Sequence, residues 1–195
     1  LPPPSLENKL FIGLKVFNNL KFKTNLNNNS TIQLKFLNKS KKFSFPIVWN
    51  DPSYSRLWNF NLHYFDWARE ILEESIKDGE ISKKLIQIEK FIDDWIDNNK
   101  LGKGDGWHSY TVSLRSRNWI WLFRCWPYLI NEKRKESLWQ QFIWLKNNLE
   151  YCYGGNHLLE NLTSISICAC QFKGKKSELI LQKTLIDLQK QLEIQ

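Results

Sequence analysis

Apolar residues recur at helical spacing along most of this chain, but not at its start. Over residues 6–50, LFIGLKVF, TIQLKFL and FSFPIVW alternate or run apolar, with Asn-rich breaks at Asn18–Asn19 and Asn27–Asn29. That pattern predicts short strands or an irregular wrapping arm. From about Leu57 the period becomes helical. A first helix is expected near 58–77, stopping before Gly79. A second starts at the cap candidate Ser82, sets Leu85, Ile88, Ile92, Trp95 and Ile96 on one face, and ends by Gly102. After the Gly-rich LGKGDGWHSY, a third spans about 113–130, with Pro127 kinking or ending it. A fourth covers about 134–152, with Leu138, Phe142, Leu145 and Leu149 in register and a break at Gly154–Gly155. A fifth runs over about 157–172 and a sixth over about 177–194. Six helices joined by short breaks imply antiparallel hairpins. A solenoid or toroid of hairpins fits, and so does an ordinary bundle.

Composition changes this picture in three places. The net charge is +8, but the first fifty residues hold eight lysines against one acid, and the rest is nearly balanced. Solvated strands and loops account for such an excess, and an anionic ligand is the alternative. No nucleic-acid-binding motif accompanies it. The four cysteines, Cys125, Cys152, Cys168 and Cys170, form no C-x-x-C pair and read as buried free thiols, so no metal site is expected. All ten tryptophans lie between Trp49 and Trp144. Indoles fill cores, but they also stack on sugars and line carbohydrate clefts. No apolar run approaches the length of a membrane span, and the first residues lack the charged and apolar regions of a signal peptide.

Three stretches mix polar and aromatic groups in ways that suggest chemistry. LWNFNLHYFDW (57–67) sets Asn61, His63 and Tyr64 among Trp58, Phe60, Phe65 and Trp67. These could face a wet cleft, or be the capped and solvated start of a helix. GWHSYTVSLRSRNW (106–119) carries His108 and Tyr110 on a loop, then Arg115, Asn118 and Trp119 on one helical face. A guanidinium grips a carboxylate bidentately while an indole stacks, which suits an acidic sugar. An interhelical salt bridge would use the same arginine. YGGNHLLEN (153–161) places Asn156 as a natural N-cap and His157 at a helix start, where unpaired N–H groups favour an anion. A capped helix with a surface histidine is the plainer alternative. The acidic pairs Glu73–Glu74 and Asp93–Asp94 read as solvated charges on polar faces. There is no phosphate-binding glycine loop, nucleophile elbow or H-E-x-x-H pair.

In this order, LWNFNLHYFDW, WHSYTVSLRSRNW and LEYCYGGNHLLEN resemble the N-terminal domain of the heparinase II/III family, over about residues 49–195. The resemblance implies an all-α domain over 51–195, an incomplete (α/α) toroid of helical hairpins. Residues 1–50 would form a short β-like or irregular segment, and the family's C-terminal β-sandwich domain is absent from this chain. It implies a polysaccharide lyase that cleaves anionic, uronate-containing glycans, of heparan sulfate or alginate type, by β-elimination, with no cofactor. It also implies a periplasmic or extracellular setting. In that reaction a base takes the proton at C5, an acid protonates the leaving oxygen, and the carboxylate must be neutralised while charge builds on it. Asn156 matches the family asparagine that holds the carboxylate, and His157 its neighbour. His108, Tyr110, Arg115, Asn118 and Trp119 would line the sugar subsites.

A non-catalytic carbohydrate-binding toroid and a helical scaffold with no sugar ligand are the competing readings. The scaffold would be favoured if Asn156, His157, Arg115 and Trp119 fail to share one cleft. The family's acid–base tyrosine follows the sixth helix and would lie past Gln195. The purified 195-residue chain is therefore expected to release no unsaturated uronate. A rise in unsaturated-uronate absorbance on incubation with heparan sulfate or alginate would contradict that.

Overall fold

The computed structural model describes residues 32–151 and 155–194, which are mostly helical with one two-stranded sheet. LFIGLKVF, the Asn-rich breaks, Cys152 and Gly154 lie outside the described residues. Strands β1 (Ile32–Phe36) and β2 (Lys39–Phe43) pair antiparallel, Ile32 opposite Phe43. The turn residues Leu37 and Asn38 both have positive φ, the conformation a two-residue hairpin requires. The alternation predicted for this stretch buries Ile32, Leu34 and Phe43 on one face.

Seven helices follow among the described residues: α1 (Arg56–Tyr64), α2 (Asp66–Asp78), α3 (Ile81–Asn98), α4 (Ser109–Cys125), α5 (Glu132–Asn147), α6 (Gly155–Ala169) and α7 (Lys175–Ile194). Three helix ends follow local chemistry. Ser55 caps α1 by accepting from the Trp58 N–H, and Asn131 caps α5 through the Arg134 N–H. Gly79 ends α2 in the left-handed conformation, its N–H returned to the Ser75 carbonyl.

The expected first helix is two. Phe65, fully buried, sits at φ 63 between α1 and α2 and turns the chain. Burying Phe65 against Trp49, Trp67 and Trp119 offsets the strain of a left-handed aromatic residue. Ser82 does not cap α3, which starts one residue earlier after Glu80. Helix α4 starts four residues before the predicted 113 and closes at Cys125, and Pro127 opens a separate 3-10 turn, Pro127–Leu129.

Contacts between helices skip as well as follow. Helix α2 packs on α4 and α4 on α6, while α3 packs on α5; consecutive pairs α2–α3, α4–α5, α5–α6 and α6–α7 also touch. Helices α2, α4 and α6 thus form one packed row, with α3 and α5 in contact beside it and α1 lying on α4. One hydrophobic cluster joins the hairpin, Ile47 and Trp49 to α1–α6, so the break at residue 50 separates no cores. Seven tryptophans are buried and Trp121, Trp139 and Trp144 are half-buried. They build the core rather than an open cleft. Cys125 and Cys168 are buried as expected, but Cys170, just past the end of α6, is exposed. Among the described residues, no helix is long and apolar enough to cross a membrane.

The acids read as solvated pairs are partly structural. Asp94 accepts from the Ile47 N–H and from Trp49 Nε1 at 2.8 Å, fastening the chain after the hairpin to α3. Asp93 receives Arg134 Nε and Nη2 at 2.7 and 2.6 Å, and this bidentate pair locks α3 to α5. Glu73 pairs with Arg69 on the surface.

His63 lies in the core with no exposed surface. Its Nδ1 accepts from Trp95 Nε1 at 3.0 Å, so in the neutral ring Nε2 donates to Asn50 Oδ1 at 3.2 Å. Burial, with Arg115 as a lesser cause, holds its pKa down at about 3. The unfolded chain takes up that proton near 6.5, so unfolding binds a proton between the two values. Stability is full above pH 6.5 and falls as pH drops toward 3, by up to about 1.4 kcal/mol per pH unit. Urea midpoints measured from pH 7 to pH 4 should show this slope, and His63→Asn, though less stable at neutral pH, should flatten it. An unchanged slope in that variant would contradict the assignment.

Candidate functional site

Three segments far apart in sequence meet at one patch. Tyr64 closes α1, Tyr110 lies in the first turn of α4, and His157 lies in the first turn of α6. Tyr64 and Tyr110 meet edge to face, 6.0 Å between centroids, and the His157 imidazole lies 4.6 Å from the Tyr110 ring. His108, the residue preceding α4, brings its ring 5.4 Å from Phe60, which stands one turn before Tyr64. All five rings are half-buried.

Beneath them is a buried carboxylate that sequence reasoning did not single out. Glu150 Oε1 contacts His157 Nδ1 at 3.2 Å and lies 3.8 Å from His108 Nε2. A carboxylate oxygen only accepts, so Nδ1 of His157 carries the hydrogen. Glu150 Oε2 accepts from Asn161 Nδ2 at 3.2 Å, and the Glu150 N–H donates to Asn161 Oδ1 at 3.0 Å. Asn161 also donates to Ser113 Oγ, and Ser164 Oγ to the Ser113 carbonyl. These bonds rivet α4 to α6 and fix the height of both imidazoles. The signal was present in LEYCYGGNHLLEN, which contains both Glu150 and Asn161.

The two phenols are weak acids here. Burial is the largest cause of pushing Tyr64 up to about 12, with Tyr110, Asp66 and Glu150 adding to it. Burial also raises Tyr110, with Glu160 adding and Arg117 opposing. Both stay protonated at neutral pH and act as hydrogen-bond donors. Arg117 and Glu160 pair at 2.8 Å at the edge of the patch.

Other expected site residues stand elsewhere. Arg115 and Trp119 are fully buried, as is His63, and none of the three has surface to offer a sugar. The Arg115 guanidinium lies 3.7 Å from the centre of the Trp95 ring, donates to Gln141 Oε1 at 2.9 Å and to the Gly106 carbonyl at 2.7 Å. Its Nη2 has no hydrogen-bond partner. Trp119 packs edge to face on Phe65 and Trp95. Asn118 donates to the Tyr64 carbonyl at 2.9 Å and to Asp66, so it braces the α1–α2 turn rather than lining a subsite. Asn61 bonds back to the Leu57 carbonyl. Asn156 is exposed; α6 starts at Gly155, so Asn156 falls within the first turn rather than at the cap.

The loop that delivers His108 is set from below. Gly106 sits where a Cβ would fall 2.9 Å from His63 Cε1, so only glycine lets the loop approach that imidazole. A groove of about 310 Å³ between the end of α5 and α7 contains none of these rings. Among the described residues, no three His, Cys, Asp or Glu side chains are grouped to hold a metal.

Replacing Glu150 with Ala should leave Asn161 and the His157 Nδ1–H without their carboxylate, at a cost of about 1–3 kcal/mol. Chemical denaturation would show this; an unchanged midpoint would mean that the carboxylate holds nothing in place. Comparison with family models, with curated proteins and with solved structures found no match for this chain.

Proposed function

We propose that this chain is the helical domain of a polysaccharide lyase of heparinase II/III type, acting on uronate-containing glycans by β-elimination. The observation that supports it most is the meeting of the three motif-bearing segments at one patch, through Tyr64, Tyr110, His108 and His157. The alternation α2–α4–α6 and α3–α5 supports an incomplete (α/α) toroid as the architecture.

In this reading the patch binds one acidic sugar by division of labour. Asn156 and His157 stand in the first turn of α6, where the helix N–H groups favour an anion. They would face the uronate carboxylate and stabilise charge that grows as the C5 proton leaves. The phenols of Tyr64 and Tyr110 would donate hydrogen bonds to sugar oxygens, and their rings would stack on its apolar face. Glu150 positions His157 without touching the sugar.

A second reading has an observation in its favour. Arg115 and Trp119 share no cleft with His157 but lie in the core, which suits a helical scaffold with no sugar ligand. A non-catalytic carbohydrate-binding toroid would use the same patch without turnover.

Titrating the 195-residue chain with glucuronate and mannuronate oligosaccharides separates these readings. Saturable binding is expected, weakened about tenfold, or ~1.4 kcal/mol, by either His157→Ala or Tyr110→Ala with the circular dichroism spectrum unchanged. A chain that binds no uronate oligomer would leave the scaffold reading standing.

A further inference from the structure

The rings of the patch close on themselves through one carboxylate. Phe60, Tyr64, Tyr110 and His157 touch in turn. Glu150 Oε1 then joins His157 Nδ1, at 3.2 Å, to His108 Nε2, at 3.8 Å, and the His108 ring returns to Phe60. The Glu150 side chain is only 8% exposed, and among the described residues no lysine or arginine stands within ion-pair distance of it. Its other oxygen accepts from Asn161 Nδ2, a neutral donor. The charges around the cluster are answered by other partners. Arg117 of α4 pairs with Glu160 of α6, Arg56 of α1 pairs with Asp105 of the loop before α4, and Asp66 of α2 accepts from the Asn118 amide. Burial keeps the Tyr64 and Tyr110 phenols protonated. Among the described residues, the groups left to offset Glu150 by gaining charge are the two imidazoles, and both meet the same oxygen.

A buried carboxylate repels a second carboxylate brought beside it, and a proton on an adjoining imidazole removes that repulsion. Two imidazoles on one oxygen give the proton two places to sit, so they titrate as a pair. We infer that His108, Glu150 and His157 form a proton-coupled anion site, which admits a ligand carboxylate together with one proton. The inference rests on the uronate-binding reading above and adds how the site's charge is set, with Glu150 as the residue that sets it. The proton comes from solvent and stays on the imidazole pair, and no bond of the sugar changes. Ligand and proton then each raise the affinity for the other. Ligand affinity is full at pH values where the empty pair already holds the proton. It falls by up to about tenfold per pH unit above that range, where binding must bring the proton in.

The test is titration calorimetry with a glucuronate oligosaccharide from about pH 5 to about pH 8, the span in which imidazoles change charge. Two buffers of different ionisation enthalpy are used at each pH, so that the difference in heat counts the protons taken up. The unaltered chain should take up about one proton per ligand at the upper end, and lose about tenfold in affinity per pH unit there. Glu150→Gln keeps an oxygen for Asn161 but removes the charge. It should flatten the pH dependence and, near pH 8, bind at least as tightly as the unaltered chain. A carboxylate that merely held the fold would give the opposite result, equal weakening at every pH. The inference is overturned by binding without proton uptake in the unaltered chain, or by a folded Glu150→Gln that keeps the full slope or is weakened equally at every pH. If Glu150→Gln does not fold, the proton count of the unaltered chain decides. Absence of binding at every pH in the unaltered chain would instead overturn the uronate-binding reading, and this inference with it.

Discussion

A guanidinium bonded only to neutral groups holds the centre of this molecule together. Arg115 has no exposed surface, and its hydrogen bonds go to an amide oxygen and a peptide carbonyl. Burial pushes its pKa well below the usual arginine value. Bringing such a charge inside is costly unless every donor finds compensation. The Trp95 ring, 3.7 Å from the guanidinium carbon, supplies part of it, because the face of an indole attracts a desolvated cation. The geometry that results is specific. Gln141 of α5, Trp95 of α3 and Gly106 of the loop must all be in place at once. Once the Gly106 carbonyl is fixed, His108 two residues on and Tyr110 four residues on have few positions left to them.

This contrasts with Arg134, the other buried arginine of the core region. Arg134 meets Asp93 in a bidentate pair and Glu89 at 2.9 Å, and its neighbouring acids offset its charge. Removing either partner there breaks a local lock between two helices. Arg115 instead joins three segments through one flat group, so it acts on the position of a loop rather than on a single interface.

The helices were legible in the sequence because their apolar spacing is strong: Leu85, Ile88, Ile92 and Trp95 all face inward, as do Leu138, Phe142 and Leu145. What spacing could not show is Phe65. A buried aromatic residue continues an apolar stripe whether or not its φ is positive, so α1 and α2 read as one helix. The site was legible in part. Tyr64, His108, Tyr110 and His157 stood out as polar or aromatic groups out of register with a core stripe. Arg115, His63 and Trp119 stood out for the same reason, yet their polar atoms are answered inside the core by Gln141, Gly106, Trp95 and Asn50, or left unpaired, as at Trp119 Nε1. Burial of a paired polar group leaves no mark in a single sequence. Glu150 was hidden for the opposite reason: one acid near the end of the helix expected over about 134–152 reads as solvated, and only the fold, which ends α5 at Asn147, brings Asn161 and two imidazoles to it.

The helices share their contacts unevenly: α4 meets α1, α2, α5 and α6, while α7 meets chiefly α6. A disturbance at α7 therefore has a short reach. Helix α7 rests mainly on α6 and leaves Leu179, Leu185, Ile186 and Leu192 largely exposed, whereas α4 is held by α1, α2, α5 and α6. Backbone amides of α7 should therefore exchange with solvent through openings that never reach Trp95 or Arg115. Opening would then begin at α7 and next reach α6, whose first turn carries His157 of the aromatic patch.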